Sequence, residues 1–253
     1  MQNRTSIHLN PDSVQIEVTR NGQRSIKNTN IQAIQEVLTR GERIETPLLP
    51  SMWGVQKYTK INNREQYVLT TPPFRAKTAY DMRNESRTDE HEQFEIITPA
   101  IMWIFHVDHN PANDSRRYVH GVAYALKQPI LGLQDQAYRF PFSNSNESYL
   151  CWGTERDYPV LGGAKSIQTI PDRFFANPFN SDLDGHRYRQ FDDKVNGRVI
   201  VRERCIHLLQ HLDKVVKEAD KKKETPVFNN DILIANGRVG EIIEHQTRSH
   251  MRR

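Results

Sequence analysis

The run AIMWIFHVD, Ala100–Asp108, decides how this chain is read. Seven apolar residues in nine, without the alternation of a half-buried strand, predict a strand buried on both faces. A strand of that kind needs partners on either side, and the flanking sequence offers them. Upstream, the stretch from Thr46 to Met82 reads as a β-meander with runs at Trp53–Tyr58 and Gln66–Thr70. Asn62-Asn63 turns it, and Pro72-Pro73 blocks extension of the second run, because proline cannot donate to a ladder. The polar stretch RNESRTDEHEQ that follows has no periodicity and reads as a loop. Downstream, NPANDSRR is a turn cluster and YVHGVAYALK reads most simply as another strand.

Further out the pattern becomes mixed. SVQIEVTRNGQRSI alternates Val14, Ile16 and Val18 on one face and then meets Asn21-Gly22, a hairpin signal. Ile31, Ile34, Val37 and Leu38 recur at helical spacing, with Asn30 to cap the start and Gly41 to end it. A second, clearer helix is predicted from Val201, with Cys205, Leu208, Leu209, Leu212, Val215, Val216 and Ala219 forming one stripe. After KKKETP, two short apolar bursts lie within NNDILIANGRVGEIIEHQ. This order implies an α+β protein. It divides into an N-terminal hairpin and helix (1–47), a central α+β domain (48–220) and a basic C-terminal extension (221–253).

Composition narrows the function classes. With 36% hydrophobic residues and a mean hydropathy of −0.74, the chain is polar for a folded protein. No apolar run approaches the roughly 18 residues of a spanning helix, and the N-terminus has no apolar signal region. A cytoplasmic protein without a membrane partner is expected. Two cysteines are too few for a disulfide framework or a four-cysteine zinc site. The net charge of +4 is concentrated late, in KVVKEADKKKE and RSHMRR. Such runs form solvated helix faces and tails more often than nucleic-acid contacts, so DNA is a weak expectation.

Most candidate chemistries fail on spacing. His207 and His211 lie four apart but point away from the apolar stripe, and no His-Glu-x-x-His pattern accompanies them. His106, Asp108 and His109 lack a further clustered ligand and read as the polar end of a strand. Gly162-Gly163 lacks the spacing of a phosphate loop. Phe174, Phe175 and Phe179 read as core under a loop, with an exposed docking patch as the alternative. No cofactor is implied.

There remains RFPFSNSNESYLCWG, Arg139–Gly153. The polar run Ser143–Ser148 reads as an exposed loop, and Cys151 just after it reads either as a small buried hydrophobe or as a partly exposed, reactive thiol. This stretch resembles the active-site loop of ubiquitin-conjugating enzymes, where a His-Pro-Asn tripeptide ends a strand and the acceptor cysteine follows. Asn144 occupies the asparagine position and Cys151 follows about one residue short of the family spacing, while Phe142 and Ser143 replace the His-Pro pair. Leu49-Pro50, Asn144, Cys151 with Gly153, and Phe174-Phe175, spread over Leu48–Leu183, are similar to the prokaryotic ubiquitin-conjugating-enzyme-like family D, which includes the B component of the PRTRC system.

The resemblance implies an antiparallel meander sheet flanked by helices, with a helical C-terminal extension. It implies a bacterial or mobile-element setting on plasmids or phages. It also implies a ubiquitin-like protein and a ThiF-like activating enzyme as partners, with a JAB-type peptidase in the same system. Cys151 would carry the ubiquitin-like protein as a thioester, and Asn144 would donate its amide N–H to the oxyanion. Glu147 and Asp157 are near in sequence, but nothing positions either as a general base. The alternative is a non-catalytic relative that binds protein or DNA, with the Phe174–Phe179 cluster and the basic tail as its contacts.

Overall fold

The computed structural model describes residues 4–10, 13–20, 23–29, 43–45, 55–61, 64–82, 91–108, 118–129, 132–153, 159–160, 164–181, 183, 187–189, 191–195, 198–202 and 204–251. The chain forms two compact units, residues 1–44 with 60–63, and residues 45–59 with 64–253.

The first unit holds an antiparallel meander of β1 (Arg4–Asn10), β2 (Ser13–Arg20) and β3 (Gln23–Thr29). Register sets Arg20 against Gln23 across the Asn21-Gly22 spacing, which is the hairpin the sequence predicts. The strand β1, which pairs Ile7 with Ile16, has no counterpart in the sequence reading. The helix expected over 30–41 lies outside the described residues. β4 (Arg43–Glu45) spans the division between the units.

In the second unit Ala100–Asp108 is the central strand, β9. The hydrogen-bonded order is β14 (Ala235–Arg238), β11 (Gln136–Arg139), β10 (Tyr118–Leu126), β9, β6 (Arg64–Thr71) and β5 (Val55–Ile61). β9 runs antiparallel to both neighbours, setting Ile104 between Val68 and Val122. Successive side chains of β9 enter opposite faces. Ile101, Trp103, Phe105 and Val107 join one apolar cluster, while Ala100, Met102 and Ile104 join another. A strand covered on both sides has no polar face to write, which explains the uninterrupted run.

On the first face lie α1 (Ile170–Ala176) and α2 (Cys205–Lys222), with the antiparallel pair β7 (Arg75–Asp81) and β8 (His91–Ile97). β8 starts inside the polar stretch read above as a loop. α2 begins at Cys205 rather than Val201, because Val199 and Val201 belong to β13 (Arg198–Arg202), paired with β12 (Phe191–Val195). Its buried stripe of Cys205, Leu208, Leu209, Leu212, Val216 and Ala219 packs toward β8. Lys223 ends it in the left-handed conformation (φ 58°), and Glu224 N–H returns to the Ala219 carbonyl.

The second face is covered by α3 (Val239–Met251). Val239, Ile242 and Ile243 sit on Val68, Ile104 and Val122. The segment 221–253, set apart above as a basic extension, thus contributes both a strand and a covering helix. The architecture is mixed α+β, mostly antiparallel. Among the described residues no helix is long and apolar enough to cross a membrane.

Candidate active site at Cys151

The chain leaves β11 through Phe140 and Phe142, which are buried among Trp103, Phe174, Phe175 and Phe179. It then forms a small hairpin. Ser145 bridges Leu150, the Cys151 N–H donates to the Asn144 carbonyl (2.7 Å), and the Asn146 N–H donates to the Tyr149 carbonyl (2.9 Å). Asn146 Oδ1 closes the turn by accepting from the Ser148 and Tyr149 N–H groups at 2.7 and 2.8 Å. This self-bonding asparagine turn gives a mechanism to a polar run that composition alone labels loop.

Ser143–Ser148 is therefore not an exposed loop throughout. Ser143, Asn144 and Ser145 are buried, and exposure begins at Glu147. The reason is local satisfaction of polar groups. Ser143 N–H donates to Cys205 Sγ (3.4 Å), and Asn144 Nδ2 donates to the Pro178 carbonyl (2.7 Å). Pro178 is itself held through Phe179, whose N–H and carbonyl bond Ala79 O and Asp81 N on β7. Asn144 adopts φ 60°, a left-handed conformation that asparagine tolerates better than most side chains.

Cys151 is free and partly exposed, whereas Cys205 is free and buried. Beyond it Trp152 is buried, and Gly153 takes φ 94°, which favours glycine. The approach to Cys151 is pinned to β10, since Leu150 N–H donates to the Gly121 carbonyl (2.6 Å). The return is pinned two residues away, where Val119 N–H donates to Pro159 O (2.9 Å). Leu150 and Pro159, on either side of Cys151 in sequence, are thus both anchored on β10.

Gly121 at that anchor is a packing requirement. A Cβ there would lie 2.6 Å from Phe105 Cδ1 and 2.8 Å from the Ile104 carbonyl oxygen. Gly121→Ala is expected to cost about 1–3 kcal/mol of overpacking, read as a lower urea midpoint. An unchanged midpoint contradicts the close approach.

Beside the hairpin lies a cleft of about 120 Å³ lined by Arg139, Ser145, Asn146, Glu147, Arg187 and neighbours. Glu147, weighed above as a base, pairs with Arg139 at 3.6 Å. Asp157 lies outside the described residues. The turn is also reached by α3, whose Gln246 Nε2 donates to the Glu147 carbonyl and to the Tyr124 hydroxyl, each at 3.2 Å.

Other expectations need correction. Phe174, Phe175 and Phe179 are at most 2% exposed and form core, so they are no docking patch. His106 is not at a polar strand end: it is 3% exposed beneath α3. His207 and His211 are half-buried rather than free in solvent, and His109 and Gly162-Gly163 lie outside the described residues. Among the described residues no three metal-ligating side chains cluster. Gly121, Pro178, Cys205 and Gln246, which hold the hairpin, carry no local sequence signal, because each acts on it from a distant element.

No family model, curated protein or solved structure matches this chain.

Proposed function

We propose that the protein is a ubiquitin-conjugating-enzyme-like carrier that holds a ubiquitin-like protein as a thioester on Cys151. The observation that carries the reading is the hairpin itself. It links a partly exposed thiol, through its own backbone N–H, to the asparagine that the resemblance pairs with it. The antiparallel sheet that delivers the chain into this hairpin is compatible with the family's meander.

In the charging step Cys151 Sγ attacks the carbonyl carbon of the C-terminal glycine held as a thioester on a ThiF-like activating enzyme. A new C–S bond forms, the old one breaks, and the leaving thiolate takes the proton. In the transfer step an amine nitrogen attacks the same carbon, the C–S bond breaks, and the amine proton passes to the departing sulfur. The role assigned to Asn144 is to steady the oxyanion of each step through the amide N–H that does not face Pro178.

The engagement of Asn144 with Pro178 also favours a second reading, a non-catalytic module in which that asparagine only shapes the turn. Two substitutions separate the roles. Asn144→Gly keeps a backbone that accepts φ 60° and removes the amide, whereas Asn144→Ala also adds roughly 1–2 kcal/mol of left-handed strain. For a catalytic amide, both variants slow discharge to an amine by about a hundredfold or more. For an amide that only shapes the turn of a working carrier, discharge follows stability. Asn144→Gly, which loses the Pro178 hydrogen bond but keeps the backbone conformation, then falls less than Asn144→Ala. A non-catalytic module takes up no thioester at all.

The function itself is tested by incubating the protein with ATP, its activating enzyme and the ubiquitin-like protein, then running a non-reducing gel. A thiol-sensitive adduct that survives Cys205→Ala and disappears in Cys151→Ala supports the carrier. No adduct, with the activating enzyme visibly charged, sinks it.

A further inference from the structure

We propose that helix α3 is an acid-releasable clamp on the Asn144–Cys151 hairpin, with His106 as its trigger. The inference does not rest on Cys151 carrying a thioester.

The sheet face under α3 is mainly apolar in successive rows, Val68–Ile104–Val122 and Thr70–Met102–Tyr124 across β6, β9 and β10, with polar atoms only at Thr70 and the Tyr124 hydroxyl. The next row departs from that pattern, because Gln66, His106 and His120 stand opposite one another. The last turns of α3 cover this row. Thr247 Oγ1 lies 3.0 Å from Gln66 Oε1, and an Arg64 guanidinium N–H donates to the His250 carbonyl (2.7 Å). The His250 ring stacks on His106 with centroids 4.2 Å apart. Neither ring nitrogen of His106 has a hydrogen-bond partner among the described groups.

A neutral imidazole tolerates such a place; an imidazolium with two N–H donors and no acceptor does not. The titratable neighbours add to the penalty, since His250 faces it from α3 and His120 from β10. Gln66 on β6 is neutral. By register, Arg64 on β6 stands opposite Asp108 of β9 in the adjoining row. Burial first, then these two histidines, push His106 down to about 3. Protonation at higher pH therefore requires α3 to lift from His106.

The same helix grips the hairpin four residues earlier. Gln246, 3% exposed, donates to the Glu147 carbonyl at the turn and to Tyr124 on the sheet. Lifting α3 removes that contact, so the hairpin carrying Cys151 loosens together with the helix.

Amide hydrogen exchange on the full chain, corrected for intrinsic rates, tests this. Between pH 7 and pH 5 protection in the last turns of α3 and at Asn146, Leu150 and Cys151 is expected to fall in parallel, by about 25-fold for a histidine that is normal when exposed. His106→Gln should flatten both profiles, and Gln246→Ala should lower hairpin protection at pH 7 while leaving α3 protected. Loss in α3 with an unchanged hairpin overturns the clamp. A pH-independent wild type, or a fall that persists in His106→Gln, overturns the trigger. Should His106→Gln fail to fold, the wild-type profile and Gln246→Ala decide the matter by the same outcomes.

Discussion

Acidifying the protein from pH 7 to pH 4 is expected to remove about 3 kcal/mol of folding stability through His106 alone. The sign follows from burial. Folded His106 titrates near 3, whereas an unfolded histidine titrates near its ordinary 6.5. Above pH 6.5 both states are neutral there and the residue adds no pH dependence. Between 6.5 and 3 only the unfolded chain takes up the proton, so stability falls by about 1.4 kcal/mol per pH unit. Denaturant titrations at several pH values measure this slope, and His106→Gln should lose it while its stability at pH 7 changes less. Equal slopes in the two proteins would mean that other groups carry the acid response.

A comparably large effect is expected at Trp103. Its side chain is fully buried, with the Phe105, Phe140, Phe174 and Phe175 rings all centred between 5.7 and 6.2 Å away. Its indole N–H donates to Thr71 Oγ1 at 3.2 Å. Trp103→Ala removes the hub of this ring cluster and should cost about 3–5 kcal/mol. Because Phe140 leads directly into Phe142 and the hairpin, the cavity should also weaken protection at Leu150 and Cys151. Trp103→Phe keeps an aromatic in place and loses the Thr71 hydrogen bond, so it should cost less than half as much. A loss below about 1.5 kcal/mol in Trp103→Ala would show that the rings repack freely.

How much of this is legible in the sequence depends on range. Ala100–Asp108 and Cys205–Lys222 are readable because burial on two faces, and on one helical stripe, writes itself into local periodicity. The polar character of Ser143–Ser145 misleads, because their partners come from 34 and 62 residues away, at Pro178 and Cys205. His106 looks like a strand end for the same reason. The helix that buries it begins at Val239, and nothing in FHVDHN announces it. The phenylalanine cluster is core, as its simpler reading has it, and the exposed alternative fails against Trp103. In the candidate site, Cys151 and Asn144 are visible as residue types in a suggestive order. The turn that ties their backbones together is not, because it depends on Asn146 closing on its own neighbours.

Mass spectrometry of the charged protein shows at single-residue level whether Cys151 takes the acyl group. Cleavage after arginine and lysine separates the two cysteines, placing Cys151 in the peptide 140–156 and Cys205 in 205–214. After incubation with activating enzyme, ubiquitin-like protein and ATP, the first peptide is expected to carry the partner's C-terminal residues as a hydroxylamine-labile adduct. The second should remain unmodified. An adduct confined to 205–214, or none on either peptide while the activating enzyme is charged, would exclude Cys151 as the acceptor.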